Sequence, residues 1–188
     1  NGLLTQLEIH QVHLGGNSMG GFIAAQFAAS HPALVASLWL LDPAGTEASH
    51  DTPMLREYLS TGQMPLLGKT DDMFDIMLAA TTHKAPWVPG FVRRVLARRA
   101  IADFELHTAI LGQLHESPKL EATYGPMPVP ALVVWGKQDR VLNPEGITSF
   151  KALFPNARLR LMDGIGHLPM VESPKETAQD YLAFRRAM

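Results

Sequence analysis

The sequence predicts an α/β fold built on a mostly parallel sheet with four visible strands, and three observations carry that expectation. Two continuous apolar runs, residues 35–41 (VASLWLL) and 130–135 (PALVVW), each end at a turn signal, Asp42-Pro43 and Gly136. Apolar runs without polar alternation are what strands buried on both faces of a parallel sheet look like. Segments of helical spacing lie between them, and strands that alternate with helices call for parallel pairing with right-handed crossovers.

In chain order, residues 8–16 (EIHQVHLGG) set Val12 and Leu14 directly before a glycine pair, a short strand running into a tight turn. Residues 19–30 (MGGFIAAQFAAS) place Phe22, Ile23, Gln26 and Phe27 at helical spacing, and His31-Pro32 ends that helix. The two apolar runs follow as second and third strands. Beyond them the pattern predicts a helix over 144–153, with Asn143 as its cap and Pro144 in its first position. A strand over 158–162 and a closing helix from 174 to about 186, capped by Ser173, complete the chain. Between Gly45 and Met127 only helical segments appear, such as 70–80 and 100–115, broken by Pro65, Pro86, Pro89 and Pro118. The chain thus divides into a core of residues 1–44 and 128–188 and a helical insertion, 45–127, that acts as a lid.

Composition narrows the function. At 188 residues, 46% of them hydrophobic and 18% charged, the chain is one ordinary domain with a real core, and disorder is excluded. The absence of cysteine removes disulfides, thiolate metal sites and a cysteine nucleophile. A formal charge of −2 offers no basic face for nucleic acid, and no stretch reaches the roughly 18 apolar residues of an integral membrane segment. The eight histidines show no spacing suited to zinc, so neither a metal nor a cofactor is expected.

The chemistry concentrates at Gly16-Asn17-Ser18-Met19-Gly20, a G-x-S-x-G between a predicted strand and a predicted helix. A serine at the apex of so sharp a turn has a strained backbone, and the glycines are expected to relieve collisions with the turn on both sides. A serine hydroxyl needs a base to take its proton and an acid to orient that base, in the chain order serine, acid, histidine on this kind of sheet. Asp139 in WGKQDRV follows the third strand and His167 in GIGHLP follows the fourth, each at a carboxyl end where such sheets place their sites. Asp42 is the runner-up acid, with shaping the Asp-Pro turn as its favoured role. The Met19 N–H, first in its helix, supplies one oxyanion donor. Arg93, Arg94, Arg98 and Arg99 read as a solvated helix face. Met73, Phe74, Ile76 and Met77 could line an acyl pocket, though such a stripe is more often core packing.

On these residues, LGGNSMGGFIAAQFAASHP, VASLWLLDPAG, PVPALVVWGKQDRVLNP and GIGHLPMVESP, the chain resembles the α/β-hydrolase fold. More narrowly it resembles a bacterial lipase and carboxylesterase branch with G-N-S-M-G-G and G-H-x-P-M-x-E-x-P motifs, over residues 11–45 and 129–188. The resemblance implies Ser18 as nucleophile, Asp139 as acid, His167 as base and Met19 as oxyanion donor, acting on a small-molecule ester or lipid. Meta-cleavage hydrolases, which split carbon–carbon bonds in dienones, share the elbow but usually carry tryptophan after the histidine. Leu168-Pro169-Met170 stands there instead, and an apolar Leu168 fits an acyl-chain pocket better. Relative to the family the first four strands are absent, with the loop for a second oxyanion N–H. The chain opens with Asn1, so it reads as the carboxyl-terminal part of a larger hydrolase. A non-catalytic piece is the third reading, its edge beside residues 11–15 awaiting a partner or an N-terminal segment.

Overall fold

Four strands lie side by side in sequence order, β1 (Val12–Asn17), β2 (Val35–Leu41), β3 (Ala131–Gly136) and β4 (Arg158–Met162), each parallel to the next. The computed structural model describes residues 2–188. Helix α1 (Gly2–Gln6) precedes the sheet, and α2 (Met19–Ser30) with a 3-10 turn (Pro32–Leu34) crosses from β1 to β2. Between β2 and β3 come α3 (Glu47–His50), α4 (Pro53–Thr61), α5 (Met73–Thr81), α6 (Gly90–Ala102), α7 (Phe104–Glu116) and α8 (Leu120–Thr123). Helix α9 (Gly146–Leu153) joins β3 to β4, and α10 (Pro169–Glu172) and α11 (Pro174–Arg186) close the chain.

The apolar runs sit where their composition puts them. All of β3 is buried and β2 nearly so, because both lie inside the sheet with packed layers on each face. The outer strands are wetter: β1 alternates, and Leu159 and Leu161 of β4 are exposed. Successive side chains of β3 point to opposite faces. Val133 and Trp135 join Leu38, Leu40, Phe22 and Phe150 in the larger core, and Leu132 and Val134 join Leu41, Met162 and Phe184 in the smaller. Trp135 meets the Phe150 ring edge-on with 6.1 Å between centroids, and Phe154 stacks on Phe150 at 6.5 Å.

Local chemistry moves two of the expected boundaries and removes one expected cap bond. The helix expected from 144 begins at Gly146, because the Asn143 side chain accepts the Glu145 N–H at 3.0 Å and closes a turn through Pro144 first. Ser173 stands before α11, but its hydroxyl donates to Glu176 at 3.2 Å and makes no cap bond. The helix expected over 100–115 is two helices, α6 and α7, that meet at Asp103. The Asp103 carboxylate turns back onto Arg99, one turn earlier, and a side chain so engaged competes with helix continuation.

Phe150, on α9, is fully buried in the larger core. Phe150→Ala is expected to cost about 3–5 kcal/mol, read as a lower urea midpoint at unchanged slope.

Candidate active site

Ser18 sits between β1 and α2 with φ 55° and ψ −121°, a backbone conformation that costs a non-glycine residue about 1–3 kcal/mol. Neighbouring backbone holds it there. Its N–H donates to Leu41 O at 3.0 Å, and its carbonyl accepts from Ala44, Gly21 and Phe22. The two glycines of the motif are not equivalent. A Cβ on Gly16 would stand 2.2 Å from Gly20 O, so position 16 must be bare. A Cβ on Gly20 would meet nothing within 4 Å, which corrects the expectation that both flanks collide. The second tight position is Gly21, where a Cβ would fall 2.7 Å from Pro43 Cβ.

The other two expected residues come together. His167 Nδ1 and Asp139 Oδ2 are 2.8 Å apart, and both side chains are essentially buried. Asp139 also accepts Trp135 Nε1–H at 3.1 Å on Oδ2, and the N–H groups of Val141 and Leu142 at 2.8 and 3.1 Å on Oδ1. Four donors thus fix the carboxylate from both sides. Asp42, the runner-up, does not meet the imidazole nitrogen. Its Oδ1 accepts the Gly136 N–H at 2.9 Å, and burial, followed by the charge of Asp139, pushes its carboxyl well above the usual carboxylate range. One potential ligand atom from each of Asp42, Asp139 and His167 lies within 4.8 Å of the others; within this cluster His167 pairs with Asp139, while Asp42 bonds to Gly136.

Several residues that build the site went unassigned in the sequence. Asn17 Nδ2–H donates to both His167 O and Leu41 O at 3.1 Å, and so ties the residue beside Ser18 to the histidine loop. Glu172 accepts the N–H groups of Gly166, His83 and Lys84 at 2.7–2.8 Å, while His167 N–H donates to Thr81 O at 2.8 Å. Its signal was present in the glutamate of the G-H-x-P-M-x-E-x-P motif. Trp135 had no sequence signal beyond its place in an apolar strand.

Met19 opens α2, where an N–H has no acceptor within its own helix. Leu168 is half-buried, and its carbonyl accepts the N–H groups of Val171 and Glu172. Ser18 lines a small apolar cavity of about 70 Å³ with Leu55, Met64, Leu66, Leu111 and Leu114, and with His50. The apolar stripe of α5 lies elsewhere: Met73 and Ile76 border a cavity of about 900 Å³ formed by residues 57–116, which none of Ser18, Asp139 and His167 reaches. Burial above all, with Lys119 and His115 nearby, lowers the His50 pKa to about 4, and its Nε2 accepts the Gly45 N–H at 3.2 Å.

A parallel sheet with a strained serine turn after one strand, an aspartate after another and a histidine after the last defines an α/β hydrolase. A family model described as alpha/beta hydrolase fold matches residues 2–174, and the chain belongs to that family. Within that family it is similar to bacterial lipases. It is 39% identical over 179 residues to Lipase 1 of Psychrobacter immobilis, covering 93% of this chain and 55% of that protein. Lipase 3 of Moraxella sp. (strain TA144) is likewise 39% identical, over 92% of this chain and 55% of its own length. Among solved structures, a bacterial membrane phospholipase A superposes with a TM-score of 0.92 at 35% identity, over 98% of this chain and 60% of that one. The chain therefore spans a little over half the length of these relatives. No helix among the described residues is long and apolar enough to cross a membrane.

His50 supplies a pH test. Its folded pKa of about 4 lies below the ordinary 6.5, so the native state binds fewer protons than the unfolded chain between these values. Its contribution to stability is complete above about pH 6.5 and is lost as pH falls towards 4. His50→Gln keeps an acceptor for Gly45 without the titration. The Tm advantage of wild type over this variant should shrink from pH 7 to pH 4 in a thermal melt.

Proposed function

We propose that this chain carries the nucleophile, base and acid of a serine carboxylic ester hydrolase of lipase or esterase type. One observation supports this above the rest: the buried His167–Asp139 pair, 2.8 Å apart, is fastened through Asn17 to the turn that strains Ser18. In this reading His167 takes the Ser18 proton as the hydroxyl attacks the ester carbonyl, and Asp139 holds the ring and stabilises the imidazolium. The Met19 N–H faces the developing oxyanion at the positive end of α2. His167 returns its proton to the leaving alcohol, and water then releases the acyl group by the same steps in reverse order.

The substrate follows from what surrounds Ser18. Leu55, Met64, Leu66, Leu111 and Leu114 offer an apolar wall and no charge, which suits the acyl half of an ester or lipid. Those side chains come from residues 45–127, which thus serve as a lid over the core of 1–44 and 128–188, with Leu168 adding an apolar contact beside the base. The names of the lipase relatives agree with this substrate class.

Turnover of p-nitrophenyl esters tests the assignment. Ser18→Ala and His167→Ala should each lower kcat by about 10⁴-fold or more while the fold survives by circular dichroism. Wild-type rates in either variant overturn the reading. So does bleaching of a yellow ring-fission dienolate by a protein that turns over no ester.

A further inference from the structure

An orphaned oxygen lies beside the acid of the site. Asp42 directly follows β2, with φ 42° and no exposed surface. Its Oδ1 is satisfied by the Gly136 N–H at 2.9 Å, but Oδ2 is buried with no hydrogen-bond partner. Such an atom costs free energy unless something pairs with it. The Asp139 carboxylate lies beside Asp42, with an oxygen of each within the 4.8 Å cluster that also includes His167. Two ionised carboxyl groups cannot share a dry interior without strong repulsion, so one of such a pair keeps a proton. Asp139 already accepts four N–H groups, whereas Asp42 accepts one. The proton therefore belongs on Asp42.

We propose that Asp42 is a buried carboxylic acid whose O–H donates to Asp139, extending the Ser18–His167–Asp139 relay by one member and holding Asp139 against the imidazole. It acts through Asp139 and is a positioning residue. The proton satisfies the orphaned oxygen, removes the repulsion and leaves the relay with a single negative charge. Burial, the charge of Asp139 and, more weakly, that of Glu172 all favour the protonated form, and only the Gly136 N–H opposes it. The groups around Asp42 are thus Gly136 from β3, Asp139 from the loop after it, His167 from the loop after β4 and Glu172 from α10. The positioning role rests on the ester hydrolase reading; the protonation does not.

Asp42→Asn separates the two. Asparagine keeps the shape, an oxygen for Gly136 and an N–H for Asp139, so kcat/KM should stay within about threefold of wild type, whereas Asp42→Ala should lose far more. The proton itself is read without turnover: the infrared spectrum of wild type at pH 7 should show the C=O stretch of a protonated carboxyl that Asp42→Asn lacks. Stability gives a second reading. An acid whose pKa is raised on folding stabilises the native state fully only below its unfolded pKa, about pH 4, and that contribution is lost as pH rises. The Tm of Asp42→Asn relative to wild type should therefore climb between pH 4 and pH 8. A missing carboxyl band, or a Tm difference that does not change with pH, overturns the protonation. An Asp42→Asn variant as inactive as Asp42→Ala, in a protein that shows the band, overturns the positioning role. If Ser18→Ala proves fully active, the band and the Tm trend still report on Asp42.

Discussion

A carboxyl group buried just beyond β3 is the constraint around which this structure is arranged. The Asp139 carboxylate is tolerable there only because four N–H groups converge on it: the indole of Trp135, the backbone of Val141 and Leu142, and the ring of His167. Each donor fixes something else. The indole sets the rotamer of the largest side chain in the main core, and the backbone pair shapes the turn that leads to α9. The imidazole bond draws the loop after β4 back across the end of the sheet. Packing, loop geometry and site are in this sense one problem with one solution.

The strain at Ser18 is met by the same economy. Its unfavourable φ is sustained by the Leu41 carbonyl and the Ala44 N–H, both at the end of β2, and by the bare Cα of Gly16. Gly21 lets α2 approach Pro43 closely. Strain stored at one residue thus depends on neighbours that are themselves rigid, because β2 is paired on both sides.

How far this was legible in the sequence depended on the range of the interaction involved. The four strands and the order serine, aspartate, histidine could be read because buried parallel strands and G-x-S-x-G are local patterns with local causes. The ring-to-carboxylate pairing of His167 and Asp139 joined residues that the sequence had matched by order alone. The expected start of α9 and the expected Ser173 cap of α11 failed for a different reason: Asn143 and Ser173 found partners at 145 and 176 that competed with capping. The apolar stripe of α5 was visible, but which cavity it faced depended on how helices joined by proline-broken loops pack. Asn17, Trp135 and Glu172 act through contacts 4 to 150 residues apart in sequence, and no periodicity announces those.

The bonds that fasten the histidine loop to the end of α5 carry a mechanical consequence. Thr81, His83 and Lys84 are stitched to His167 and Glu172 by three main-chain N–H bonds. That end of the helical segment is an anchorage, and swinging it away would drag the imidazole out of register with Asp139. A displacement of the segment that keeps His167 against Asp139 must therefore leave these bonds in place, so the two loops move as one piece.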